Sequence, residues 1–314
     1  MAIGVGLGLA EFPFSGAAAF REWVDLCEAG GVDSLWQTDR LVSRVPHLEV
    51  MSVMAALAGA TRRIKFGMNV ASAGLRDPLV LAKQCATIDF LSDGRLLPAF
   101  GVGSPQAPDW AATGRDPKAG AGAAEEALEI IGRLWREPSV TFEGRHFRYK
   151  DAMIAPKPVQ AELPLWIGGS SRAAIRRTAR LGTGWQAGSE SPEEVAPIVA
   201  AIKEQAKAYG RRIADDHYGT GFFYRFGGPN DADLPQRMAA FAKRTGRDPR
   251  HAFAVGGAAE ILERIRDYAA AGISKFILRP VGADDSDLMA QTRRLIEEVL
   301  PEVERMNGRA SGAG

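Results

Sequence analysis

The residues best suited to chemistry lie between Leu165 and Trp185, in the stretch LWIGGSSRAAIRRTARLGTGW. A short apolar run ends in Gly168-Gly169, and Ser170 and Ser171 then open a segment with Ala174, Ile175, Thr178, Ala179 and Leu181 at helical spacing. That order is strand, turn, helix. Two glycines let the backbone turn sharply and approach a ligand closely, and the free N–H groups at the start of a helix carry the positive end of its dipole. Such a turn suits a phosphate. Taken by itself, it equally describes a plain βα connection with a serine cap.

Asp39-Arg40 closes the second apolar strand pattern and offers a carboxylate to orient a ligand and a guanidinium to take an anionic or electron-rich group. The same two residues also suit a salt-bridged pair sealing a rim. Arg279 ends the last strand pattern, where it could bind phosphate or pair with Asp284 or Asp285. The four histidines, His47, His146, His217 and His251, show no metal-ligand spacing, so no metal site is expected. No Gly-x-Ser-x-Gly elbow is present, and the glycines of GVGLG and FGVGS do not fit the GxGxxG dinucleotide fingerprint. Cys27 and Cys85 fall within apolar helical patterns and read as reduced core thiols.

The elements that must position these residues alternate. Strand patterns fall at Ile3–Leu9, Ser34–Gln37, Ile64–Val70, Leu96–Gly103, Leu165 onward, near Trp185, Gly219–Phe226 and Lys275–Leu278, with helical patterns such as Phe20–Glu28, Met51–Ala60 and Pro78–Leu91 between them. Eight strands alternating with helices predict a (β/α)8 TIM barrel, with inserted loops and a β-hairpin between strands 4 and 5. The reading is one domain over residues 1–314 with an insertion at about 104–163. A barrel keeps its chemistry at the C-terminal ends of its strands. There stand Phe12, Asp39-Arg40, Asn69 to Gly74, Gly103-Ser104, Gly168 to Ser171, Gln186 and Arg279.

Within the insertion, Ser104 to Gly122 lacks periodicity and reads as a mobile lid, Val140 to Tyr149 alternates around Gly144 like a hairpin, and Pro156, Pro158 and Pro164 make a rigid return. Trp36, Trp166 and Trp185 read as barrel core, and Asn307 to Gly314 as a frayed end. At 314 residues and 46% hydrophobic content the chain can bury a large core, and a net charge of +1, from 39 basic and 38 acidic residues, argues against nucleic acid or an anionic membrane as partner. No apolar run approaches a bilayer span and no leader pattern is evident, so a cytoplasmic location is expected.

With Gly184-Trp185 behind it, the GGSS segment resembles the flavin-phosphate segment of the bacterial luciferase-like oxidoreductases. The likeness extends along the chain: Val32 to Trp36 running into Thr38-Asp39-Arg40-Leu41, Arg76-Asp77-Pro78 with Leu81-Ala82-Lys83, Ala86 to Asp89, Leu91 to Arg95, Phe100 to Gly103 and Pro156-Lys157-Pro158. What the resemblance implies is a barrel holding FMN, or in one branch a deazaflavin, at its mouth. It implies a non-prolyl cis peptide at Asn69-Val70 backing the flavin ring, and Ser104 with Gly168, Gly169, Ser170 and Ser171 on the phosphate. Many relatives carry a histidine where Asp39 or Arg40 stands, and deazaflavin-dependent dehydrogenases place a glutamate where this chain has Ser104-Pro105-Gln106. The activity implied is a two-component monooxygenase that takes reduced FMN from a separate flavin reductase and uses O2 on a small-molecule substrate, with Asp39 and Arg40 as candidate catalytic residues. The alternatives are deazaflavin-dependent hydride transfer and a non-catalytic flavin-binding protein. Family members are often homodimers.

Overall fold

In the computed structural model, which describes residues 2–311, the alternation of Gly4 to Leu9 sorts by residue size. Val5, Leu7 and Leu9 belong to the large core that also takes Trp23, Leu57 and Leu81 from helices. The glycines leave room on the other face, where a Cβ on Gly6 would lie 3.1 Å from Trp36 Nε1. Gly67 faces the same ring at 2.6 Å, and Gly184 and Gly219 face Trp166 at 2.4 and 2.8 Å. Trp36 and Trp166, with ring centroids 6.4 Å apart, fill that interior together with Ala99 and Ile277. Trp185 instead joins the large core.

The strands in chain order are β1 (Gly4–Leu9), β2 (Ser34–Gln37), β3 (Lys65–Met68), β4 (Ala71–Ser72), β5 (Leu96–Leu97), β6 (Ala99–Gly101), β7 (Val140–Glu143), β8 (Arg148–Ala152), β9 (Trp166–Gly168), β10 (Gly184–Gln186), β11 (Tyr218–Phe226), β12 (Phe253–Gly256) and β13 (Lys275–Pro280). Hydrogen bonds link ten of them in the order β4-β6-β9-β10-β11-β13-β1-β2-β3-β5. The two ends of this path are neighbouring pieces of the same chain segments, because β3 pairs with β5 and β4 with β6. The result is an α/β fold with a curled parallel sheet fed by eight segments of chain. The strand expected to run unbroken from Ile64 to Val70 is interrupted at Asn69-Val70, whose peptide is cis, as the resemblance implied. The fourth segment is interrupted at Pro98, which has no N–H to donate.

Two regions depart from the sequence reading. The run Ser104 to Gly122 contains a short helix, Pro108–Ala112, and the helix Gly120–Arg136 already begins within it. Trp110 is buried against Gly74, Gly103 and Gly120, and the buried Asp109 carboxylate accepts the Leu41 N–H at 2.8 Å, so this segment is anchored rather than free. After β11 the chain makes an excursion that the sequence reading lacked. The helix Leu234–Thr245 and β12 form a small separate core of Leu234, Phe241, Ala252, Phe253 and Val281. Here β12 pairs with Phe223 to Phe226 of β11, beyond the point where β10 stops at Gly219.

β7 and β8 pair antiparallel, with a register shift between Val140 and Phe142. The helix Pro78–Leu91 shows how local sequence sets an element: Asp77 accepts from the N–H of Leu79 and Val80, Pro78 opens the first turn, and Asp93 and Gly94 at positive φ end it. The last helix, Leu300–Ser311, continues past Asn307, because the Asn307 side chain bonds the Ile3 backbone at 2.7 and 3.0 Å. The rest of the expected frayed end, 312–314, lies outside the described residues. Both cysteines are buried and unpaired. Among the described residues no helix is long and apolar enough to cross a membrane.

Candidate active site

At the C-terminal ends of the strands opens a cavity of about 700 Å³. Asn69-Val70 forms part of its floor, and the neighbouring glycines exist to let Val70 lie there. A Cβ on Gly101 would approach Val70 Cγ2 to 2.8 Å, and one on Gly168 would approach its Cγ1 to 3.2 Å. On one wall, Gly169 at φ +110 turns the chain from β9 into the helix Arg172–Leu181. Trp185 Nε1 fixes that turn by donating to the Gly169 carbonyl at 2.8 Å.

The serines divide their tasks. Ser171 is the N-cap, accepting the Ala174 N–H at 3.2 Å, which leaves the Ser170 hydroxyl as the one that lines the cavity without a side-chain bond of its own. Behind them Arg177 is buried, with Nε unpartnered and a carboxylate oxygen of Glu125 at 3.6 Å. Burial pulls this guanidinium below the ordinary arginine value, against the opposing pull of Glu125. On β10, both side-chain polar atoms of the buried Gln186 lack partners.

The sequence-derived candidates therefore separate. Asn69, Val70, Gly168, Gly169, Ser170 and Ser171 all line the cavity. Ser104 does not: its hydroxyl donates to Gln106 Oε1 at 2.8 Å, and only its neighbours Gly103 and Pro105 reach the lining. Asp39 is buried in a two-point ion pair with Arg76, at 2.6 and 2.8 Å, and accepts the Ser72 N–H at 3.0 Å. The Asp39 partner is thus Arg76 rather than Arg40, and the pair ties the end of β2 to β4. Burial works against the Arg76 charge, but its bonds to Asp39 and Glu49 outweigh it and raise its pKa. Arg40 lies outside the cavity, on a shallow depression with Ser43, Arg44 and His47. Arg279 lines the cavity and pairs with neither Asp284 nor Asp285.

The sequence model of luciferase-like monooxygenases matches residues 4–243. The chain belongs to that family. Among relatives of this luciferase-like chain, an F420-dependent glucose-6-phosphate dehydrogenase of Amycolatopsis mediterranei is 26% identical over 327 aligned positions, covering 90% of this chain and 93% of that protein. Two solved structures share the fold at a TM-score of 0.82, each covering 96% of this chain and 99% of its own: the monooxygenase RslO1 of Streptomyces bottropensis, at 21% identity, and an F420-dependent secondary alcohol dehydrogenase holding an F420-acetone adduct, at 20%.

The luciferase-like cavity has the features a phosphorylated flavin or deazaflavin needs. It offers a glycine-lined slot for a flat ring, orphaned amide atoms on Gln186, and a helix start with a free serine hydroxyl and a buried cation. Arg177 was missed in the sequence. The signal was present, because Ala173 and Ala174 line the cavity and Arg177 follows them at helical i+4 and i+3 spacing on the same face.

Proposed function

We propose that this chain is a flavin-dependent oxidoreductase that binds reduced FMN in the cavity and uses it with O2 on a small organic substrate. The carrying observation is the lining itself, which has glycines, Val70, two amides, two serines and two arginines but no carboxylate or histidine among the described residues. Such a site encloses and orients, and offers no side-chain base to take a proton from an alcohol. Bound reduced flavin supplies two electrons, so that one oxygen atom of O2 enters the substrate and the other leaves as water.

The chain's own residues would hold and shield. Ser170, the N–H groups opening the helix Arg172–Leu181 and Arg177 take the phosphate; Asn69-Val70 backs the ring; Gln186 bonds its polar edge. Ser104 is left out of that set because Gln106 engages its hydroxyl. Asp39 acts through position, holding Ser72 beside the Asn69-Val70 bend, and Arg40 acts from outside the cavity. We read the curled sheet as a closed (β/α)8 barrel, the chain as one domain with 104–163 inserted, and a separate reductase as the source of reduced FMN. We also infer a homodimer through the helix Pro78–Leu91, where Val80 and Leu91, eleven residues and so three turns apart, share one exposed apolar face.

Anaerobic equilibrium binding to oxidised FMN, reduced FMN and a deazaflavin tests this reading, and preference for reduced FMN supports it. A second reading, deazaflavin-dependent hydride transfer, is favoured by the activity of the Amycolatopsis relative, and preference for the deazaflavin would replace the first reading with it. Tight binding of oxidised FMN alone, without substrate-dependent O2 uptake, would make the chain a flavin-sequestering protein.

A further inference from the structure

The Arg279 side chain, part-buried in the cavity wall, has neither an ion pair nor a hydrogen bond among the described residues. Arg76 has Asp39, Arg225 has Asp287 at 2.7 Å, and Arg177 has Glu125, whereas Arg279 has no acidic partner among the described residues. Its Nε is shut off from solvent without a hydrogen bond, and its guanidinium lies over the Phe223 ring, 5.3 Å from the centroid. The one acid in the adjoining crevice, Glu11, is taken by Arg237 at 3.4 Å. A cation set into a cavity wall with its Nε sealed and no counter-ion leaves its pairing to whatever enters that cavity.

Two further arginines gather near it. Phe223 stacks on Phe253 at 4.8 Å, Phe253 meets Phe241 edge-on at 5.8 Å, and Arg244 covers Phe241 at 5.5 Å. This ladder carries Arg244, on the outer excursion, to within electrostatic reach of Arg279, and Arg40 in turn lies within reach of Arg244. Burial first, and Arg244 second, push Arg279 down to about 10, a value at which it still carries its charge at neutral pH. Neither Arg40 nor Arg244 has an ion-pair partner among the described residues. On the strand path Arg279, on β13, is three places from the GGSS turn after β9, so Arg279 stands across the cavity from the proposed phosphate end.

We propose that Arg279, with Arg244 and Arg40 at the rim, is the substrate-recognition site and that the substrate is an organic oxyanion, a carboxylate or phosphate ester, seated on Arg279 opposite the cofactor's phosphate. This rests on the reading of the cavity as a flavin or deazaflavin site. The shared chemistry is a delocalised oxyanion that a planar guanidinium grips at two points, while the rim charges draw it in.

Titration with benzoate, phenyl phosphate and neutral benzamide, by calorimetry on the protein loaded with whichever cofactor it binds, or on the bare protein if it binds none, tests the assignment. Benzoate or phenyl phosphate is expected to bind at least about tenfold more tightly than benzamide, the stronger of the two naming the anion class. Arg279→Gln is expected to abolish the preference, Arg279→Lys to restore part of it, and Ser170→Ala to leave it in place. Arg244→Gln, at an exposed position that spares the fold, is expected to weaken anion binding and flatten its dependence on salt. Equal binding of benzoate and benzamide, or an anion preference that survives Arg279→Gln, overturns the proposal. So does an Arg279→Gln protein that loses the cofactor instead, since the arginine would then belong to the cofactor. A protein that binds neither cofactor and still selects anions through Arg279 refutes the flavin reading and upholds this one.

Discussion

Ser170 and Asp39 show two ways a polar residue can serve the same cavity. The Ser170 hydroxyl is unbonded and faces the cavity wall, so Ser170→Ala should weaken cofactor binding by about 1 to 3 kcal/mol through one lost charge-assisted contact. Equilibrium titration measures this directly, and unchanged affinity removes Ser170 from the site. Asp39 is spent on Arg76 and Ser72. Asp39→Asn should lower unfolding stability by about 2 kcal/mol, less than the roughly 3 to 5 kcal/mol for a sealed pair, because Glu49 remains on Arg76 at 3.0 Å. A urea midpoint that does not move while turnover collapses would instead make Asp39 catalytic. At this scale the sequence was informative where one residue type has one use, as with the Gly168-Gly169 turn. It could not name the partners of Ser104 and Asp39, because a hydroxyl or carboxylate at a strand end can face a ligand or a neighbour. Gln106 and Arg76 decided which, and no spacing rule announces them.

The inserted elements are tied to the sheet by carboxylates that accept backbone N–H groups. Glu126, on the helix Gly120–Arg136, accepts the N–H groups of Arg145, His146 and Phe147 at 2.8, 2.9 and 3.0 Å and so holds the turn between β7 and β8. Burial alone would raise its pKa, but the three N–H bonds prevail and leave it below the ordinary 4.5. A carboxylate depressed on folding adds stability above its unfolded value and loses it as pH falls through the folded one. The amides of residues 145–147 should therefore show high protection relative to their intrinsic exchange rates at neutral pH and lose it as pH falls below about 4.5, and Glu126→Gln should show the reduced protection already at pH 7. Protection factors that do not change over that range in the native protein would dissociate Glu126 from the turn. The β1 alternation was legible as a strand because glycine and large apolar residues sort strictly by face. The helix Pro108–Ala112 was not, since its five residues fold around Trp110 and Asp109 contacts from distant parts of the chain.

For the whole molecule, the alternation of strands and helices was readable because each period repeats, and the cis peptide was found because a family pattern marked its place. The arginine cluster was invisible, since Arg40, Arg244 and Arg279 lie on three separate stretches of chain that only the curled sheet and its excursion bring near one another. Association is the property that belongs to this scale. Phe90 and Leu91 are 52% and 61% exposed at the end of the helix Pro78–Leu91, and Leu91→Lys with Phe90→Lys should convert the proposed dimer to monomer in sedimentation while cofactor binding persists. A native protein that sediments as a monomer at micromolar concentration ends the dimer reading.

The pairing of β12 onto the outer end of β11 has a consequence for how this protein diversifies. The excursion from Gly227 to Gly257 supplies four of the five residues of a small core closed by Val281 after β13, and none of the two-tryptophan interior. It brings Arg244 within electrostatic reach of Arg279, while the wall with the Gly168-Gly169 turn is built from β9 and β10 on other segments. If the proposed roles hold, Arg244 can vary with the excursion while Arg279 and the β9–β10 wall stay fixed, so insertions, deletions or grafts between Gly227 and Gly257 can retune the approach to the cavity without rebuilding its lining.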